Sequence, residues 1–235
     1  MSKAKIFLAG ASGAIGFPLA SLLVEKGYQV IGTTRRPENL QRLRSVGADP
    51  VLVDVYDKES LQQIVQKVSP DIVIHQLTDL PYGLPAERMG EGRLNNNRIR
   101  LVGTKNLIEA LSGLAPRRMI VQSIAFMYKE GPIPHQETDE LASSELTQFE
   151  EMVLNSGIDT TVLRYGRFYG PRTGVEKLAT ACRVHVLAAA HAAVLAMTLT
   201  QHSVYNVCED SEYADNSRLL TESGWNPEPS GNRWS

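Results

Sequence analysis

The sequence predicts an α/β fold built around a doubly wound parallel sheet, and two observations support this prediction. Short apolar runs alternate with segments of helical periodicity, an order typical of parallel strands joined by helical crossovers. A glycine-rich stretch, KIFLAGASGAIG at Lys5–Gly16, joins the first apolar run directly to the first helical segment. With 235 residues, 43% of them hydrophobic, the chain is long enough for one such domain and its core.

The elements follow one another in a regular order. The predicted strands are residues 6–9, 28–33, 51–55, 71–77, 118–123 and 160–165. The predicted helices are residues 15–26, 37–45, 60–68, 97–111 and 146–155. Gly27 suits the end of the first helix, and Pro37 suits the first turn of the second. Two segments rich in proline, glycine and charge, 79–92 and 129–139, are predicted to be loops on the ligand side of the sheet.

Charge, hydropathy and cysteine content exclude several classes of protein. A net charge of −2 argues against a partner that is a nucleic acid or a membrane surface. The apolar segment 186–199 is too short to span a bilayer and predicts a buried helix. Cys182 and Cys208 form no metal-binding or redox motif, and no histidines or carboxylates have metal-ligand spacing. The cysteine usage and the lack of a leader-like segment before the first strand predict a cytoplasmic protein. The lack of metal-ligand spacing predicts that it holds no metal.

The glycines of the first turn predict a phosphate-binding site. Gly10 permits a tight turn after the strand, Gly13 lets backbone N–H groups approach a diphosphate, and Gly16 allows close packing of the helix on the strand. The helix N-terminus adds partial positive charge at the same place. The sequence therefore predicts a Rossmann-type dinucleotide site rather than an ordinary turn. The residues expected to contact the cofactor there are Gly10, Ser12, Gly13, Ala14, Ile15 and Gly16.

The spacing GxxGxxG resembles the nucleotide-binding motif of the extended and atypical short-chain dehydrogenases/reductases, the epimerase/dehydratase-like branch of that superfamily. Further segments resemble family elements in the same order, and the resemblance covers nearly the whole chain. These segments are GTKNLIEA from Gly103, VQSIAFMY from Val121, TVLRYGRFYGP from Thr161, VYNVCED from Val204 and GWNP from Gly224.

This resemblance implies an organisation and further cofactor contacts. It implies a dinucleotide-binding domain at residues 1–165 and a small C-terminal substrate lobe at 166–235, interleaved with it. The lobe is shortened, because few residues separate Gly174 from RVHV, where the branch usually carries a long insertion. The resemblance also implies contacts with the cofactor from the ends of the predicted third and fourth strands. These residues are Asp54, Val55, Gln76 and Leu77.

The end of the second strand indicates which dinucleotide is bound. An NAD enzyme of this fold usually has Asp or Glu there to hold the ribose 2′-hydroxyl. This strand ends instead in Arg35 and Arg36, whose planar guanidinium groups suit a 2′-phosphate. Arg35 is the expected clamp because it lies closer to the strand end. We expect NADPH to be preferred over NADH, although a solvated basic turn is the alternative reading.

The chemistry that the resemblance implies is incomplete. The family uses a Ser, a Tyr and a Lys four residues after the Tyr, and this chain has no YxxxK motif. Ala142 and Leu146 occupy the expected Tyr and Lys positions. Ser123 suits the Ser role, and Tyr128 is the nearest substitute acid, so these two are the predicted catalytic residues. The alternative for Tyr128 is a packing residue of the pocket wall.

Three functions remain open from the sequence. The first is NADPH-dependent reduction of a small or sugar-like carbonyl. The second is a non-catalytic NADP(H) sensor, which the loss of YxxxK favours. The third is a sugar-nucleotide epimerase or dehydratase, which needs transient oxidation and suffers most from that loss. A small-molecule substrate is the expected partner, and a homodimer is left open.

Overall fold

The computed structural model describes residues 3–199 and 202–228. Seven parallel strands form one sheet, and two more pair separately. The strands are β1 (Lys5–Ala9), β2 (Gln29–Thr34), β3 (Asp49–Leu52), β4 (Ile72–His75), β5 (Arg118–Ile124), β6 (Thr160–Tyr165), β7 (Arg167–Tyr169), β8 (Arg183–His185) and β9 (Ser203–Val207). The main sheet has the order β3-β2-β1-β4-β5-β6-β9, and β7 pairs with β8. This order confirms the predicted doubly wound sheet.

Helices cover both faces of the sheet. They are α1 (Gly16–Glu25), α2 (Leu40–Ser45), α3 (Lys58–Val68), α4 (Met89–Arg98), α5 (Thr104–Ala110), α6 (Ser144–Leu154), α7 (Val186–Leu195) and α8 (Ser217–Ser223). A single π-helical turn, Ile99–Gly103, joins α4 to α5. The predicted helix at 97–111 therefore contains a change of helical pitch that the sequence pattern does not show.

Alternation along the strands divides the core into two layers. On β1, Ile6 and Leu8 pack toward α1, α2, α7 and α8, whereas Phe7 and Ala9 pack toward α3, α5 and α6. All four side chains are buried, because a parallel sheet covered on both faces leaves its central strands no solvated side. The predicted buried helix at 186–199 is confirmed as α7, followed by a 3₁₀ turn at Ala196–Thr198.

Two predicted boundaries were wrong. Strand β3 begins at Asp49, and residues 53–55 follow it as non-strand backbone. The loop predicted at 79–92 ends early, since a 3₁₀ turn begins at Ala86 and α4 at Met89. Gly92 lies inside this helix. Glycine is needed at this position because a Cβ would lie 2.6 Å from Pro81 Cδ. Close packing, not a turn, therefore accounts for that glycine.

The C-terminal part contributes to both sheets. Strand β9 lies at the edge of the main sheet, whereas β7 and β8 form the separate pair. Residues 200–201 and 229–235 of the predicted lobe lie outside the described residues. In the ranges that are described, we find no helix with the length and apolar character needed to cross a bilayer.

Candidate cofactor site

The turn between β1 and α1 is shaped by two of its three glycines. Gly10 has a φ of +86°, and a Cβ there would lie 2.7 Å from the carbonyl oxygen of Gln76. A Cβ on Gly16 would lie 2.1 Å from the carbonyl oxygen of Gly10. Both contacts are with backbone atoms that cannot easily move, so these two positions require glycine for the turn itself.

Gly13 differs, because a Cβ there would meet only one atom within 4 Å, the Gly10 carbonyl oxygen at 3.3 Å. The space above the turn is otherwise open. The N–H of Gly13 donates to Gly10 O at 3.1 Å. Among the described residues, the N–H groups of Ser12, Ala14 and Ile15 find no acceptor. Unsatisfied N–H groups at the amino end of a helix, below open space, fit a diphosphate.

Hydroxyl groups at the end of β2 hold this turn in place. Thr33 Oγ1 accepts from Gly10 N at 3.2 Å, and Thr34 Oγ1 accepts from Ser12 Oγ at 3.1 Å. Both threonines are 4% exposed. The turn is therefore preorganised by the neighbouring strand.

The two predicted arginines have different surroundings. Arg35 makes a two-pronged ion pair with Asp79, from the loop after β4. That hydrogen bond is the largest influence on the Arg35 guanidinium and raises its pKa. Arg36 is exposed, and its guanidinium has no partner within the described ranges. Of the two, Arg36 is the cation that is free for a further anion.

The segment after β3 lies at the same edge of the sheet as the glycine turn, beyond the end of β2. Asp54 Oδ1 accepts from Tyr56 N at 2.9 Å, which fixes the turn and leaves the carboxylate solvated. The guanidinium of Arg98 lies 4.3 Å from the centre of the Tyr56 ring. The Tyr56 hydroxyl is buried and finds no hydrogen-bond partner in the described part of the chain. Val55, 8% exposed, packs against Gly103 at the π turn.

The segment after β4 runs beside the glycine turn. Gln76 N donates to Ala9 O at 2.9 Å, which places Gln76 and Leu77 next to Gly10. The predicted cofactor residues after β1, β2, β3 and β4 therefore share one edge of the sheet. Whether they bind a dinucleotide stays a prediction.

The sequence interpretation missed Arg172, which reaches this edge from the C-terminal part. Its Nη2 donates to Ser12 O at 2.9 Å. Two residues later, a Cβ on Gly174 would lie 2.6 Å from Gly83 Cα. The segment after β7 thus contacts both the glycine turn and the loop after β4. The only hint in the sequence is the position of Arg172 directly after YGP.

At the end of β5 and in the loop after it, the two predicted catalytic hydroxyls are buried in a polar network. Ser123 is 0% exposed, and its Oγ donates to Glu150 Oε1 at 2.5 Å. Glu150 also accepts from Arg164, with Nη2 2.7 Å from Oε2. The Tyr128 hydroxyl donates to Asn206 Oδ1 at 2.5 Å and accepts from Arg164 Nη1 at 3.0 Å. Both hydroxyls therefore have protein partners, and whether either is catalytic stays a prediction.

Burial also disfavours Tyr128 as a titrating acid or base, because it raises the pKa of the phenol to about 12. His135 belongs to the predicted loop 129–139 but is not solvated. Its ring is 4% exposed and stacks on Tyr128 with centroids 4.8 Å apart. Backbone hydrogen bonds hold the loop in this position, since His135 N donates to Tyr213 O at 2.8 Å and Asp215 N donates to His135 O at 2.9 Å.

The positions expected for the Tyr–Lys pair hold no proton donor. Ala142 is exposed and its N–H donates to Met127 O, while Leu146 is 1% exposed in the first turn of α6. His75, at the end of β4, pairs with Thr104 at 2.8 Å. Burial lowers the pKa of His75 to about 4, so its ring is neutral at neutral pH.

Comparison with known proteins places these features in context. A model of the NAD dependent epimerase/dehydratase family matches residues 6–207. A 3-diazoavenalumate denitrifying reductase from a Streptomyces species is 34% identical over 189 residues, which are 74% of this chain and 59% of that protein. A probable UDP-glucuronate 4-epimerase from Rhizobium meliloti is 24% identical over 71% of this chain and 54% of its own length. The chain thus spans little more than half of these relatives.

Solved structures show the same fold. The UDP-glucose 4-epimerase of Thermotoga maritima, crystallised with UDP-glucose, superposes with a TM-score of 0.77 at 20% identity, covering 96% of this chain and 94% of that one. The UDP-glucose 4-epimerase of Thermus thermophilus in complex with NAD gives 0.76 at 20% identity, covering 97% and 95%.

Proposed function

Because this chain belongs to the NAD dependent epimerase/dehydratase family, we propose that it is an NADPH-dependent reductase. The observation that carries the proposal is a set of three N–H groups, of Ser12, Ala14 and Ile15 at the amino end of α1, that find no acceptor in the described part of the chain. A dinucleotide's diphosphate provides the acceptors that they lack. Arg35 and Arg36 then provide positive charge for a 2′-phosphate, where NAD-specific proteins of this fold carry a carboxylate.

The residues on the substrate side limit what such a reductase can reduce. The bound dinucleotide supplies a hydride. Leu146 and Ala142 cannot donate a proton, and the Tyr128 hydroxyl is occupied by Asn206 and Arg164. The substrate must therefore accept a hydride without a proton from a tyrosine–lysine pair.

One class of acceptor meets this requirement without any proton. At a diazonium carbon, the hydride forms a C–H bond while the C–N bond breaks, and the electron pair of that bond leaves with N₂. The relative from Streptomyces is named as a reductase of a diazo compound. We therefore place diazonium-type acceptors first. A small or sugar-like carbonyl comes second, because its alkoxide would have to take a proton from water.

The hydroxyls of Ser123 and Tyr128 are hydrogen-bonded to other protein groups, which favours a second candidate function. A protein that binds NADP(H) without turning it over would act as a sensor of the cofactor's redox state. A sugar-nucleotide epimerase or dehydratase has the least support, because it needs a base to remove a substrate proton. Burial raises the pKa of Tyr128 to about 12, so the phenol is a poor base at neutral pH.

One experiment separates these functions. Purified protein is incubated with NADPH and either a carboxylated arenediazonium salt or a panel of aldehydes, ketones and keto-sugars. Cofactor oxidation and N₂ release are followed, with protein-free reactions correcting for spontaneous reduction. Protein-dependent N₂ release supports the first acceptor class, and oxidation with carbonyls alone supports the second. Tight NADPH binding without turnover leaves the sensor, and no NADPH binding refutes the proposal.

Three further features belong to this proposal. We place the boundary between the cofactor-binding domain and the small substrate lobe near residue 165. A cytoplasmic location is consistent with Cys182 and Cys208, which are both free and buried. A homodimer is left open, and its test is the mass of the protein in solution.

A further inference from the structure

Arg100 lies in the π turn between α4 and α5, on the side that faces the end of β4. One turn before it, Asn96 Oδ1 accepts from the N–H of Asp79, in the loop after β4. One turn after it, Thr104 pairs with His75, the last residue of β4. Residues four apart lie on one side of a helix, so this stripe follows the carboxyl end of β4. π turns are frequent at functional sites.

The guanidinium of Arg100 has no hydrogen bond or ion pair with any described residue. It is only partly exposed. Glu150 is within electrostatic reach and favours the charged form, yet burial lowers the pKa of Arg100 to about 10. The group nevertheless remains protonated at neutral pH.

Glu150 does not neutralise this charge by direct contact. Its Oε1 accepts from Ser123 Oγ at 2.5 Å and from Arg164 Nε at 3.0 Å. Its Oε2 accepts from Arg164 Nη2 at 2.7 Å. Both oxygens are therefore already occupied.

Among the described residues, the two buried arginines are well paired. Arg118 donates to Asp159 and to the carbonyl oxygens of Ala196 and Leu199. Arg164 is paired with Glu150. A partly buried cation without partners is costly unless a bound group supplies acceptors. Arg100 lacks such acceptors among the described residues, and a bound group would supply them.

The topology indicates which group this is. If the glycine turn after β1 holds the diphosphate, and the ends of β2 and β3 hold the adenosine half, the other half extends over β4 and β5. The charge of Arg100 acts on His75, the last residue of β4, which indicates that the guanidinium lies near the end of that strand. Arg100 also interacts electrostatically with Glu150, which lies one turn after Leu146 on α6, the position where the family lysine is missing.

We propose that Arg100 acts beside the nicotinamide half of the bound dinucleotide, where its unpaired charge favours the neutral reduced ring over the cationic oxidised ring. The guanidinium also offers donors to the ribose hydroxyls. This inference rests on the proposed function, because it requires that the chain binds NADP(H). It concerns loading and release of the cofactor, since the protein would bind the hydride donor in preference to the oxidised product that must leave.

The test compares Arg100→Gln, Arg100→Met and Arg100→Lys by equilibrium binding. Dissociation constants are measured calorimetrically for NADPH, NADP⁺ and 2′,5′-ADP, which lacks the nicotinamide half. For either neutral variant we expect the ratio of the NADP⁺ constant to the NADPH constant to fall about tenfold. Arg100→Lys should keep most of the ratio, and 2′,5′-ADP should bind all variants equally. Lys105→Ala, which removes an exposed cation of α5, is the matched control.

The possible results distinguish a failure of the Arg100 role from a failure of the proposed NADP(H)-dependent function. An unchanged ratio in a folded neutral variant overturns the role of Arg100. An equal loss of affinity for all three ligands also overturns it, because that result indicates a structural role. If the parent protein binds neither NADPH nor 2′,5′-ADP, the cofactor site itself is wrong and both proposals fail. Two neutral variants are used so that poor folding of one does not decide the test.

Discussion

Asp79 holds Arg35 in a two-pronged ion pair that links the end of β2 to the loop after β4. The Arg35 side chain is 43% exposed and that of Asp79 is 22% exposed. A 2′-phosphate on the adenosine ribose would compete with the Asp79 carboxylate for the same guanidinium. The ion pair is therefore a built-in competitor of the ligand that Arg35 is predicted to bind.

Replacing Asp79 with Asn should strengthen NADPH binding. The change frees Arg35 and removes a negative charge near the phosphate. Exposed ion pairs contribute little, so we expect a gain of up to about fivefold. Calorimetric titration with NADPH and NADH measures it, and NADH affinity should stay constant. Weaker NADPH binding by Asp79→Asn would show that the carboxylate positions Arg35 instead of competing for it.

Replacing Arg35 and Arg36 together with Ala should abolish the preference for NADPH over NADH. Charge-assisted hydrogen bonds contribute about 1.5–3 kcal/mol, so NADPH affinity should fall about tenfold to a hundredfold. NADH affinity should not change. The two single variants separate the contributions, and we expect Arg36→Ala to have the larger effect because Arg36 has no competing carboxylate. Equal affinities for NADPH and NADH in the parent protein would refute the assignment.

Gly13→Val should remove dinucleotide binding and leave the fold intact. The valine side chain would occupy the open space above the turn, where the diphosphate is expected. Binding is measured calorimetrically and folding by thermal denaturation. Gly90→Ala is the matched control, since a Cβ there would meet nothing within 4 Å. Retained NADPH affinity in Gly13→Val would mean that the turn is only structural.

Ser123→Ala and Tyr128→Phe should lower stability and leave any turnover within about twofold. Each removes a hydroxyl that satisfies buried polar partners, at a cost of about 1–3 kcal/mol. Urea unfolding measures this free energy. Tyr82→Phe is the control, because Tyr82 is 76% exposed. A hundredfold loss of turnover in Tyr128→Phe with unchanged stability would restore the catalytic role that the sequence predicts.

His75 should make the fold sensitive to moderate acid. Its pKa is lowered to about 4 in the folded protein, mainly by burial, from an ordinary value of 6.5. Below pH 6.5 the unfolded chain therefore binds a proton that the folded chain does not, and stability falls as pH drops from about 6.5 to 4. The loss amounts to about 3 kcal/mol. Unfolding of His75→Gln should lack this component, whereas His202→Gln, at an exposed site, should retain it.

The fold could be predicted from the sequence because each buried strand is a short apolar run. In a parallel sheet that helices cover on both faces, the central strands are buried on both sides and therefore appear in the sequence as continuous apolar runs. Helix α4 was missed because Gly90, Gly92 and the nearby prolines are typical of loops. The contact of Gly92 with Pro81 that explains this glycine exists only in the folded chain.

The site was less predictable, for a physical reason. The glycine turn is local, so its spacing alone indicates its role. The partners of Ser123 and Tyr128 lie 27 and 78 residues away, respectively, and no local pattern shows them. Arg172 contacts Ser12 across 160 residues. Contacts between residues so far apart in the sequence depend on how the elements pack in the folded chain, which no local sequence pattern records.

The buried ion pair of Glu150 with Arg164 limits which substitutions the polar network around Ser123 and Tyr128 can accept. Removing either partner leaves a buried charge uncompensated, at about 3–5 kcal/mol, whereas replacing both with apolar residues can be neutral. The two positions are therefore expected to covary among homologues and to change together, not singly. A combinatorial library that randomises the ends of β5 and β6 to obtain new substrates should treat Glu150 and Arg164 as a single inherited unit.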